Sequence, residues 1–319
     1  MLKINKIWKT FNFTQKKNIS FLVLMMIVGM FLELVGISSI IPLILAIVDK
    51  ESFLSNLSFL TNFFSFIDVN SKNLIWYYLF LITFIFLFKF IYLSYLSWKL
   101  NKFTFDLNSY LSKTLLYKYL LKNILFHVNK NSSELISNII IESNKFAQQV
   151  VGPALKLFSE IVVFFGITLL LLYLEPKGTL IALGILAFIS ILFIIIFSPF
   201  LEKWGGIRIL NEKLRIKYAQ EGIDGIRDIK LANMENHFTN KFEEPNFLAL
   251  RVQAKHTTLL EIPRYGIEFF ALVSIVAVIV FLILNNKSNT EILVTIGIFS
   301  AATFRILPSI NKVLVAFQN

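Results

Sequence analysis

Long apolar runs alternate along this chain with amphipathic, Lys-rich stretches. The runs cover about residues 19–48, 73–98, 150–174, 179–200, 263–284 and 291–317, each near or above the roughly 20 residues that a helix needs to cross about 30 Å of hydrocarbon. The first is too long for a signal-peptide core of about 7 to 15 residues and has no small-x-small cleavage site, so it is expected to stay in the membrane. Gly29, Gly36 and Pro42 inside it allow close packing or a kink.

Two long intervals separate the runs, residues 99–149 and 201–262. In the first, Leu107, Tyr110, Leu111, Thr114, Leu115 and Tyr119 repeat with a helical rhythm and no strand-like alternation. Glu175-Pro-Lys-Gly178 and Asn285–Thr290 predict tight turns, and Asp49–Lys72 a polar, aromatic loop. The fold class that follows is an all-α membrane protein, one domain over residues 1–319, with six spans and long cytoplasmic extensions. If each excursion is a helix, a turn and a returning helix, arms of about 20 residues reach roughly 30 Å beyond the membrane. Channels seldom need such stalks, whereas a machine driven by a soluble partner does.

Composition agrees: of 319 residues 56% are hydrophobic, 34 are Phe, and the mean hydropathy is +0.70. The net charge of +11 would also suit a nucleic-acid binder, but its distribution excludes one. Lys3, Lys6, Lys9, Lys16 and Lys17 precede the first span, and both long excursions are rich in Lys and Arg, whereas the opposite loops hold only Lys50, Lys72, Lys177 and Lys287. The positive-inside rule therefore places both termini and both excursions in the cytoplasm. There is no cysteine, and His127, His237 and His256 are scattered, so no metal site and no catalytic constellation is predicted.

Charges within spans are costly, which makes them informative. Glu33, Lys89, Lys156, Glu160, Arg264, Glu268, Arg305 and Lys312 stand out, with Arg305, Ser309 and Lys312 on one face of the last span and Arg264 and Glu268 sharing another. One reading has Lys89, Arg264, Arg305, Ser309 and Lys312 line a cavity for an anionic head group such as a pyrophosphate. The other pairs the bases with Glu33, Glu160 and Glu268 as structural bridges, Lys156 with Glu160 among them, or has them snorkel to the interface. Trp76, Tyr77, Tyr78, Tyr92, Tyr95 and Trp98 read as interface belts.

The polar stretch Ala219–Glu235 holds Gly222 and Gly225 within a helical pattern whose apolar side is Ile223, Ile226 and Ile229. Together with the six spans and two excursions, the segment Glu221-Gly-Ile-Asp-Gly-Ile-Arg-Asp-Ile-Lys-Leu231 and Asn236-His-Phe238 resemble the membrane domain of ABC exporters. The ending Phe299-Ser-Ala-Ala-Thr-Phe-Arg-Ile-Leu-Pro-Ser-Ile-Asn-Lys312 and the segment Glu261-Ile-Pro-Arg-Tyr265 resemble the lipid-linked oligosaccharide flippases and polysaccharide exporters.

The resemblance implies a homodimer whose spans four and five cross to the other subunit, with coupling helices pressed into nucleotide-binding domains. On this chain the first coupling helix falls near Asn123–Asn131, including Phe126 and His127. The second falls near Ile216–Gly225, including Gln220, Glu221, Gly222 and Asp224, with Gly222 and Gly225 as flexible points. No G-x-x-x-x-G-K-[ST] phosphate loop occurs. The chain itself therefore carries no cofactor, and ATP and Mg are implied for a nucleotide-binding domain fused downstream or supplied as a separate chain. A multidrug, lipid or peptide exporter of the same fold, and an ion-driven carrier without an ATPase, remain alternatives.

Overall fold

The computed structural model describes residues 11–48 and 74–318, and among them only helices occur. The predicted loop at Asp49–Lys72 and the first lysines lie outside the described residues. In chain order the elements are α1 (Phe13–Ser38), α2 (Ile40–Val48), α3 (Leu74–Leu120), α4 (Ile124–Val128) and α5 (Ser132–Ser137). Then come α6 (Ser143–Lys145) between two π-helical segments, Asn138–Glu142 and Phe146–Val151, and α7 (Gly152–Leu174). The chain continues with α8 (Pro176–Asp224), α9 (Ile226–Ala232), α10 (Glu235–Leu284) and α11 (Asn289–Gln318). Among the described residues six helical stretches are long and apolar enough to cross a membrane.

Span one starts earlier than the hydropathy pattern predicts, at Phe13, and breaks at Ser39. Pro42 has no N–H to offer the carbonyl four residues back, so the ladder cannot continue through it. The break is satisfied locally: the Ser39 hydroxyl donates to the Gly36 carbonyl at 2.7 Å, and Tyr78 donates to the Ser39 carbonyl at 2.6 Å. A backbone group freed at membrane depth needs such a partner. Between spans three and four only Glu175 is non-helical, and Lys177 and Gly178, expected in a turn, belong to the first turn of α8. Pro176 explains this, because its preset φ suits the first helical position. Span six begins at Asn289, two residues before Glu291. There Ser288 caps it by accepting the Glu291 N–H at 3.2 Å.

The chain divides into two compact units, Met1–Pro176 with Leu282–Ser309, and Lys177–Phe281 with Ile310–Asn319. In the first, α1 packs against α3 and α7. Leu22, Met25 and Met26 bury against Leu96, Leu100, Phe103 and Leu107 of α3, with Ala147 and Val151 completing the layer. Close approach is bought with small residues: a Cβ on Gly166 would stand 2.6 Å from the Met30 sulfur, and one on Gly297 would collide with Ile44. Beyond the membrane the π-helical segment frees the Ile139 carbonyl, which accepts from Ser112 of α3 at 2.9 Å and from Ser143. Polar side chains thereby re-satisfy a backbone that a regular helix would have satisfied itself.

In the second unit α8 and α10 run antiparallel, 49 and 50 residues long, or roughly 75 Å each. Their span and stalk portions are single continuous helices despite Pro199, Pro245 and Pro263. Phe193 lies over Gly266, and polar rungs tie the stalks, with Arg208 donating to Gln253 at 3.1 Å and Lys241 facing Glu221 at 3.2 Å.

Candidate functional site

Four of the intramembrane charges meet in the first unit. Glu33 of α1 receives Lys89 of α3 at 2.7 Å on Oε2 and Arg305 Nε of α11 at 2.8 Å on Oε1. Arg305 Nη1 also reaches Glu160 Oε2 of α7 at 3.0 Å, and the buried Ser309 hydroxyl donates to the same oxygen at 2.7 Å. Four separate spans are thereby joined. Gly36, one turn beyond Glu33, opens the route, since a Cβ there would stand 3.4 Å from the Lys89 Nζ. Two carboxylates and two bases sum to zero, the condition under which charges are tolerated in hydrocarbon.

The cluster is asymmetric in depth. The side chains of Glu33 and Glu160 are 4% and 13% exposed, whereas those of Lys89 and Arg305 are 18% and 27% exposed. The acids lie inside and the bases toward the open side. On the open face of α3, Lys89 lies beside Phe86, Phe90, Leu93, Ser94 and Ser97.

The remaining candidates are elsewhere. Arg264 pairs along α10 with Glu268 at 3.1 Å, and both are exposed. Lys312 is exposed and belongs to the second unit, as Arg264 does. Glu160, expected beside Lys156, is engaged instead by Arg305 and Ser309, and Lys156 is exposed.

At the far end of the first unit α4 follows Asn123. Phe126 stacks on Tyr119 with centroids 5.9 Å apart, and the His127 ring nitrogen meets the Tyr119 carbonyl at 3.0 Å. These contacts fix the helix and turn Ile124, Leu125 and Val128 outward, each about 70% exposed or more. In the second unit the short helix is α9, immediately after the predicted Ile216–Gly225 stretch. Gln220, Glu221, Gly222 and Asp224 instead form the last turns of α8, which carries on through them because Gly222 is helical, and Gly225 marks the break. Ile229 buries while Ile226 and Leu231 stay exposed.

A left-handed residue ends α9, but it is Asn233 (φ 53°), which the glycine pattern did not single out. Its neighbour Met234 donates to the Ile229 carbonyl at 3.0 Å. Lys230 then clasps Glu235 at 2.8 Å, holding that carboxyl below its ordinary range through the Lys230 hydrogen bond and a backbone hydrogen bond.

Neither glycine needs a positive φ. A Cβ on Gly222 meets nothing within 4 Å, so Gly222→Ala is expected to stabilise α8 by about 1 kcal/mol. At Gly225 a Cβ would stand 3.0 Å from the Glu221 carbonyl, so Gly225→Ala displaces α9. Thermal unfolding of both variants should show a raised midpoint only for Gly222→Ala.

Over residues 19–307 the sequence matches the ABC transporter transmembrane region. The chain belongs to this family. ABC membrane domains work with nucleotide-binding domains, so this ABC transporter domain is a multi-pass membrane protein whose energy enters through such a partner. Within the second unit His256 is buried beside Arg208, and burial first, then that charge, hold its imidazole below its ordinary value. A depressed folded pKa means that the unfolded chain takes up the proton first. Stability is therefore full above about pH 6.5 and declines as the pH falls below it. His256→Gln should flatten this slope in unfolding curves taken from about pH 7.5 to 5.

Proposed function

We propose that this ABC transporter domain is the membrane half of an exporter that moves an anionic amphiphile, a lipid-linked oligosaccharide, across the cytoplasmic membrane by alternating access. The observation that carries the anionic reading is the depth order of the cluster, acids buried and bases toward the open side. Lys89 has three N–H donors and Arg305 five, so an incoming phosphate or pyrophosphate would take the outward ones while Glu33 and Glu160 keep theirs. Phe86, Phe90 and Leu93 beside Lys89 suit the lipid portion. Arg264 and Lys312 would add donors along the route, and Ser309 holds Glu160 in place.

The working unit is a homodimer in which each chain contributes its α8–α10 pair to the other, with both termini and both stalks cytoplasmic. α4 and α9 are the coupling helices, with Asn123, Phe126 and His127 positioning the first, and Gln220, Glu221, Gly222, Asp224 and Gly225 leading into the second. ATP and Mg belong to the nucleotide-binding domain, fused or separate. ATP closure moves the stalk tips, and continuous helices carry the motion to the charge cluster. The experiment compares ATPase stimulation of the complete transporter by polyprenyl pyrophosphate sugars with stimulation by hydrophobic cations. Stimulation by the polyprenyl pyrophosphate sugars is expected, and stimulation by cations alone would favour a multidrug exporter.

A further inference from the structure

The stalk of the second unit carries a basic opening of its own. Between the rungs Arg208–Gln253 and Arg215–Asn246, the second at 3.5 Å, lies a pocket of about 440 Å³. Arg208, Lys213 and Arg215 line it with a single acid, Glu212. Glu212 is committed to Arg215 at 2.6 Å. Arg208 is bracketed by a neutral amide, and among the described residues no carboxylate lies within ion-pair distance of Arg208 or Lys213. The pocket therefore keeps an excess of two positive charges, three bases less one acid.

A helix bracket alone would need neither the hole nor the surplus charge. Ile209, Ile216 and Leu250 at its lips are each more than half exposed in the single chain. Arg208 stands about 12 Å along α8 from Phe200, the end of the apolar run. Helical side chains tilt toward the helix N-terminus, which for α8 is toward the membrane. One turn nearer the membrane, Lys255 lies 5.7 Å from the Trp204 ring centroid, an aromatic at the level where such rings gather.

We propose that this pocket is a binding site for a net-anionic phosphate group, held by Arg208 and Lys213 with Arg215 behind them, and carried by a lipid of the adjacent leaflet or by a soluble phosphate. Arginine's planar fork donates two hydrogen bonds to one phosphate while Lys213 adds a point charge. The apolar lips take the glycerol and first methylenes of a lipid, as in basic pockets between membrane helices that hold anionic head groups.

Only the leaflet's identity rests on the topology proposed above. Binding is read without transport, so failure of either proposal leaves the other standing. The complete transporter, in micelles, is titrated with phosphatidylglycerol, with phosphatidylcholine, and separately with inorganic phosphate, and bound lipid is counted by native mass spectrometry and phosphate by equilibrium dialysis. Phosphatidylglycerol should bind at least about tenfold more tightly than phosphatidylcholine, and Arg208→Gln should lose about that factor, the worth of one charge-assisted hydrogen bond. Lys213→Gln, whose exposed side chain ties no helix, should lose a similar factor with an unchanged melting temperature, while Lys230→Gln, the same charge change outside the pocket, should lose none. Phosphate bound by wild type and lost in Arg208→Gln, with no preference between lipids, would make the ligand soluble and still assign the site. Equal binding of every probe by wild type, Arg208→Gln and Lys213→Gln would overturn it.

Discussion

Glu33→Gln is expected to destabilise the membrane domain by about 3–5 kcal/mol, the cost of removing one partner from a buried charge set. Glu33 is the anion shared by Lys89 and Arg305, at 2.7 and 2.8 Å, and its side chain is 4% exposed. Without it two cations face Glu160 alone near the middle of four spans. The charge sum then predicts a rescue. Glu33→Gln with Lys89→Gln leaves Arg305 against Glu160, again neutral, and should recover most of the loss although two interactions have been deleted. Unfolding in mixed detergent micelles, followed by tryptophan fluorescence, should rank wild type above the double variant and the double above Glu33→Gln. A double variant at or below the single one would show that local hydrogen bonds, not charge balance, hold the spans.

Leu125→Asp should have the second large effect, and on activity alone. Leu125 is 69% exposed on α4 and gives the fold no buried contact to lose. Its neighbours Ile124 and Val128 extend the same apolar surface, of the kind that seats in a partner's pocket. If α4 docks as proposed, a carboxylate introduced there must be desolvated when the nucleotide-binding domain closes on it. The loss at a central docking residue is about 2 kcal/mol or more, a factor of about 30 in the docked population. ATP-driven transport should fall accordingly while membrane insertion and the melting temperature stay at wild-type values. Transport within about twofold of wild type would mean that α4 is not a docking element.

The six spans were readable because membrane burial demands long apolar runs, and such runs can be recognised without tertiary information. Helix ends were less legible. Pro176 starts a helix where a Glu-Pro-Lys-Gly turn was expected, and α8 runs through Gly222 because a glycine weakens a helix without stopping it when the neighbouring turns are sound. Asn233 rather than a glycine takes the left-handed turn, since asparagine tolerates that conformation better than other side chains with a Cβ. The charged residues themselves stood out, but not their partners. Arg305 and Glu33 are 272 positions apart in sequence, and the fold alone decides that they meet. Spacing correctly joined Arg264 to Glu268, a contact local to one helix, and wrongly joined Lys156 to Glu160, for which another span competed. The pocket beside Arg208 was invisible for the same reason, its walls coming from two helices whose register no single stretch reveals.

The claim at the centre of this account is that movement begins with nucleotide and reaches the charge cluster through the stalks. The complete transporter, reconstituted into vesicles with a fluorescent polyprenyl pyrophosphate glycan, allows that to be measured as transfer of the glycan between leaflets. Transfer should require ATP and Mg in the compartment bathing α4 and α9, persist when proton and sodium gradients are collapsed, and stop in Leu125→Asp. Transfer that ran without ATP and followed an imposed ion gradient would contradict it.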